Sequence, residues 1–75
     1  MIMPQTMIDV VAAGGGLTIN LETQMIMPST MEQIAATAAK SGALITFKTG
    51  KSVIMPQTMI DVAAAGKGRV VFEIS

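Results

Sequence analysis

The 75-residue chain predicts an α+β fold made of three tandem β-α-β units. Three observations carry that expectation: a nonapeptide that recurs unchanged, a proline at the same place in each copy, and a switch from helical to strand periodicity after each proline. Ile-Met-Pro-Gln-Thr-Met-Ile-Asp-Val occupies 2–10 and again 54–62, while residues 26–34 read Ile-Met-Pro-Ser-Thr-Met-Glu-Gln-Ile. Self-similarity at a spacing of tens of residues is the mark of a repeat architecture. The units span about 1–23, 24–49 and 50–75, within a single domain covering 1–75.

Each unit opens on a short apolar stretch, Met25-Ile26-Met27 in the second and Val53-Ile54-Met55 in the third, which reads as a strand. Proline cannot donate to a ladder and suits the first helical turn, so it ends the strand and starts the helix. Ser29-x-x-Glu32 matches a capping box, with Thr6-x-x-Asp9 and Thr58-x-x-Asp61 as weaker versions. Asp9 and Asp61 are read as first-turn carboxylates facing the helix dipole. Met7/Val10/Val11, Met31/Ile34/Ala35/Ala38 and Met59/Val62/Ala63 have the i, i+3, i+4 spacing of one buried helix face.

Glycine then stops each helix, at Gly14-Gly15-Gly16, Ser41-Gly42 and Gly66-Lys67-Gly68. The strands beyond alternate, with Leu17/Ile19/Leu21, Ile45/Phe47 and Val70/Phe72/Ile74 on one side. Lys48-Thr49-Gly50-Lys51 reads as a hairpin turn, and Glu22-Thr23-Gln24 occupies the equivalent place. The expected order is β-α-β-β-α-β-β-α-β, forming one mixed sheet with three short helices on one face. The first two units have ferredoxin-like order. A short α/β solenoid of side-by-side units is the alternative. In the mixed sheet, Ile2, Ile26 and Ile54 would lie opposite the helices with Leu44 and Val71, giving a self-association face for an isologous dimer.

Composition narrows the function. Hydrophobic residues make up 51% and charged residues 13%, with zero net charge, against about 25% charged in ordinary domains. That favours self-association and gives no nucleic-acid footprint. Residues 1–39 hold Asp9, Glu22 and Glu32 without a base, while 40–75 hold five bases against two acids, so complementary ends could pair head to tail. There is no cysteine or histidine, so neither a disulfide nor a structural zinc site is expected. No basic segment precedes an apolar stretch near the start, and no run reaches the roughly 20 apolar residues of a membrane span. Neither a targeting signal nor a span is expected, and the compartment is left open.

Catalytic chemistry finds little purchase. Thr49-Gly50-Lys51-Ser52 matches the end of a phosphate-binding loop, but Ile45 stands where that loop needs glycine, and the segment reads as a strand-to-strand turn. Gly66-x-Gly68 follows a helix, the reverse of a dinucleotide fingerprint. Serine and threonine have no evident activating base. No cofactor and no small-molecule ligand are implied. Six of the eight methionines recur at repeated positions, before the prolines and on the helix faces, and read as core.

The succession in Val53-Ile54-Met55-Pro56 through Phe72, an apolar strand, Ile-x-Pro, a helix ending Ala-Ala-Ala-Gly-Lys-Gly and a β-run, resembles repeats of Gram-positive cell-surface and S-layer-associated proteins. All three units share it loosely, and the likeness implies a place within a much longer secreted protein. The unchanged nonapeptide and narrow residue alphabet are equally features of engineered repeat sequences. The expected function is a non-enzymatic structural module whose partner is itself. The alternative is a module that binds a peptide or protein on an exposed sheet edge at 69–75 or on the sheet face, and a small enzyme stands third.

Overall fold

A computed structural model describes residues 3–51 and 54–74. Helix and strand alternate through the three units as α1 (Pro4–Ala12), β1 (Leu17–Asn20), α2 (Pro28–Ser41), β2 (Ile45–Lys48), α3 (Pro56–Gly66) and β3 (Val70–Glu73). The α+β class and the pairing of one helix with one following strand in each unit are as the repeat predicts.

The sheet differs from the expected one. Its three strands lie in the order β1-β2-β3 and both pairs are parallel. Register is continuous across it: Leu17, Ile45 and Val70 are level, as are Ile19, Phe47 and Phe72. Each helix returns the chain to the end of the sheet where it began, so consecutive strands run the same way. The mixed sheet and ferredoxin-like order are therefore not formed among the described residues, and side-by-side stacking of units is.

The departure lies in the pre-proline stretches. Met25–Met27 and Ile54–Met55 form no strand, and Val53, with Ile2 before the first proline, lies outside the described residues. The residue before a proline is pushed to extended angles whether or not it pairs. Met3, Met27 and Met55 obey this, at φ −68°, −71° and −61° with ψ between 134° and 148°. An antiparallel partner would also need a free edge beside β2, and β1 and β3 occupy both. Lys48–Lys51 thus links strand to helix rather than forming a hairpin.

The core follows the two periodicities. Met7 and Val11 of α1, Met31, Ile34, Ala35 and Ala38 of α2, and Val62 of α3 meet Ile19, Ile45 and Phe47 from the sheet. Phe47, Ile34, Ile45, Val11 and Val62 are wholly enclosed, each contributing about 1.5–3 kcal/mol by leaving water. Phe47 stacks on Phe72 with ring centroids 5.6 Å apart and planes at 25°. The helix layer is continuous, with α2 packed between α1 and α3.

The expected capping boxes are not made. Proline takes the first helical position, so methionine is the cap residue, and none of the three caps has a side-chain hydrogen bond. Asp9 and Asp61 fall beyond the first turn, where each accepts from the glutamine one turn earlier: Gln5 Nε2 at 3.1 Å and Gln57 Nε2 at 2.9 Å. At the other end α2 closes on Gly42 at φ +82°, whereas α3 runs through Gly66 and closes on Lys67 at φ +48°.

Candidate functional site

Because every unit runs helix then strand, the molecule has two distinct ends. The strand-to-helix loops and three helix N-termini lie at the C-terminal end of the strands, and the glycine loops lie at the other. Met3, Met25, Met27 and Met55 are exposed at the former, Met25 at 94%. Only Met7 and Met31 of the repeated six are buried, with Met59 partly so. The pre-proline methionines are therefore surface rather than core, since the stretches that hold them form no strand and have no layer to pack against.

Between the loops of the second and third units lies a cavity of about 330 Å³. Its lining includes Leu21, Ile26, Met31, Ile54, Met55 and Thr58. Ile26 and Ile54, expected on the open sheet face, pack here against the core instead. Their backbone is loop, so the pleat that would have turned them outward does not exist. Leu44 and Val71 do point away from the helices, at 50% and 44% exposure, because each alternates with the inward Ile45 or Val70. Ile2 lies outside the described residues. The four described positions of the expected association face are therefore divided between the cavity and the open sheet face.

The open face of the sheet is mainly polar. Thr18, Thr46 and Val71 form one level row and Asn20, Lys48 and Glu73 the next. An apolar sheet-to-sheet dimer has little here to bury.

The Thr49-Gly50-Lys51 turn lies between a strand and a helix, contrary to the strand-to-strand reading. It still does not form a phosphate cradle, since α3 begins only at Pro56. A Cβ at Gly50 would collide with the Glu22 carboxylate, so an anion approaching that backbone meets like charge. Thr49 is the one buried polar side chain among the described residues, and its hydroxyl donates to the Glu73 carbonyl at 3.3 Å. It joins β2 to β3 and is already satisfied. Among the described residues no three His, Cys, Asp or Glu side chains group to hold a metal, and no helix is long and apolar enough to cross a membrane.

The most informative surfaces are the two ends of the stack, which the charge asymmetry of the sequence pointed to without naming the helix flanks. Aligning the units on their prolines exposes a pattern. Three residues beyond Pro+3 sit Val10, Ile34 and Val62; the second and third are buried, the first only partly. At the next position, Val11 and Ala35 are buried and Ala63 is exposed. Ile8 and Glu32 are half-buried, while Ile60, identical in context to Ile8, is 60% exposed. Thr6 and Ala13 are exposed where Thr30, Thr37, Thr58 and Ala65 are half-buried. Among the described residues, the flank of α1 facing away from α2 and the flank of α3 facing away from α2 are thus less covered than the equivalent flanks that pack between units. The strands agree: β1 and β3 are both edge strands.

Comparison with protein-family models, curated proteins and solved structures finds no match to this chain.

Proposed function

We infer that this chain is a non-enzymatic structural module whose partner is another copy of itself. The observation that supports the reading is the pair of flanks left less covered among the described residues: Ile60 and Ala63 on one side, Thr6, Val10 and Ala13 on the other, each beside an edge strand. Repeat arrays need polar outer faces on their terminal units to remain separate, and α3 offers isoleucine and alanine there instead. Low charge adds to this, since little repulsion opposes contact. Sedimentation velocity across a concentration series provides the test. The expected result is a sedimentation coefficient that rises from micromolar to high micromolar protein; a constant monomer value would end the reading.

A second reading draws on the edge position of β3. An extended peptide added there would gain main-chain hydrogen bonds, with side-chain specificity from alternate positions. It predicts amide shift changes confined to 69–74 on adding peptide to the monomer, without self-association.

A further inference from the structure

We propose that copies of this chain join head to tail, β3 and α3 of one against β1 and α1 of the next, repeating the contact already made twice inside the molecule. The proposal rests on the self-association reading and specifies its geometry. A second copy is the occupant these flanks fit, because the surfaces that would meet are variants of surfaces already packed together.

Ile8 and Val11 of α1 are more covered than their counterparts Ile60 and Ala63, and Ile34 of α2 more than its counterpart Val10, which assigns them to the contact between the first two units. In the same way Ala35 is covered where Ala63 is exposed, and Val62 is covered where Val10 is only partly so, which assigns them to the contact between the second and third, where Ala35 also lies beside Gly66. Both junctions place a small or branched apolar residue against a branched one. The next junction would set Ile60 and Ala63 against Val10 and Ala13 of the incoming copy. The nonapeptide shared by α1 and α3 makes this more than analogy: an α1 flank is, residue for residue, what α3 already presents to α2 through Thr58 and Val62.

The strand edges have the matching phase. Lys48 carbonyl accepts from Leu21 N–H, and Arg69 and Glu73 carbonyls accept from Ile45 and Thr49 N–H. Since backbone groups alternate sides along a strand, those of Val70 and Phe72 face outward on β3, and those of Thr18 and the Asn20 N–H outward on β1, while the Asn20 carbonyl closes the following turn by accepting from Thr23 and Gln24 N–H. Continuing the observed register pairs Val70 with Leu17, Val71 with Thr18, Phe72 with Ile19 and Glu73 with Asn20 of the next copy. The groups of Val70, Phe72 and Thr18 and the Asn20 N–H then meet as the inner ladders do, and the ladder ends at the Asn20 carbonyl, which the turn already uses. Charge favours the same order. The first unit has Asp9 and Glu22 with no base, a charge of −2, and the third has Lys51, Lys67 and Arg69 against Asp61 and Glu73, a charge of +1.

The contact is heterologous, so it is distinguishable from any two-fold dimer. The chain has no cysteine, so introduced thiols report one contact at a time. Thr18 and Val71 are exposed on the open sheet face, two strands apart within a chain and adjacent across the proposed junction. Disulfides form only at Cα separations of about 4.4–6.8 Å. Thr18→Cys and Val71→Cys variants, oxidised separately and as an equimolar mixture, should stay uncrosslinked alone and give the mixed T18C–V71C dimer together. Thr46→Cys on the central strand should crosslink with neither. Ile60→Lys, at a position already exposed, should leave the circular dichroism of the monomer unchanged and weaken association at least tenfold. Symmetric dimers from a single variant would overturn the head-to-tail geometry while leaving self-association standing. Monomers throughout, with sedimentation independent of concentration, would overturn both, and amide shifts of β3 on adding peptide would then assign the edge to that ligand.

Discussion

Phe47 shows how much of a small core one side chain can hold. It is fully enclosed on the central strand and stacks against Phe72. Phe47→Ala should cost about 3–5 kcal/mol, a large part of the stability of a domain this size, and urea melts would show the chain largely unfolded in buffer. Gly66 makes the opposite point. Alanine at a helical glycine ordinarily gains about 0.5–1 kcal/mol, yet here a Cβ would press on Val70 Cγ2 and lie 3.2 Å from its Cβ and 3.6 Å from the Ala35 Cβ. Gly66→Ala should therefore destabilise, and Gly66→Ala/Val70→Ala should cost less than the two single changes together, as a double-mutant cycle would measure. The inward strand residues were legible because a period of two separates the faces. Gly66 was not, because a glycine after an alanine run reads equally as a helix stop and as a place where β3 comes close.

At the scale of elements, the helices were the legible part and their beginnings were not. Apolar spacing after each proline fixes three helices, but proline at the first helical position moves the cap back onto methionine, which has no side-chain oxygen to offer the free N–H groups. Met27 is 68% exposed and gives little packing in return. Met27→Ser should place a hydroxyl near the Ser29 and Thr30 amides and stabilise by about 1 kcal/mol, raising Tm by roughly 4–8 °C in a thermal melt. The pre-proline segments were misread for a related reason. Three apolar residues held extended by a proline look the same whether or not a neighbouring strand exists, and pairing is decided elsewhere in the chain. That error carried Ile26 and Ile54 onto the open sheet face, whereas they pack against the core.

Across the whole molecule, stability should be graded from the middle outward. α2 and β2 have neighbours on both sides, while α1 with β1 and α3 with β3 each have one. Native-state hydrogen exchange should find the slowest amides in α2 and β2, around Ile34, Ile45 and Phe47, with the outer units opening first. Equal protection in all three units would mean that the chain opens only as a whole. The repeat itself was plain in the sequence, and so was the charge asymmetry between its ends. What the sequence did not reveal was which flank of each helix faces its neighbour, because an alanine-rich helix has no sharp apolar boundary.

One strand per helix has a geometric consequence. Neighbouring strands lie about 4.8 Å apart, while packed helix axes need about 8–10 Å. Two layers about 10 Å apart with such unequal spacing diverge by on the order of 25° per unit. Any longer row of these units must therefore bow, helices on the convex side and sheet within. The threonines, Asn20 and Lys48 would then line the hollow of an arc, where short or polar side chains crowd one another least.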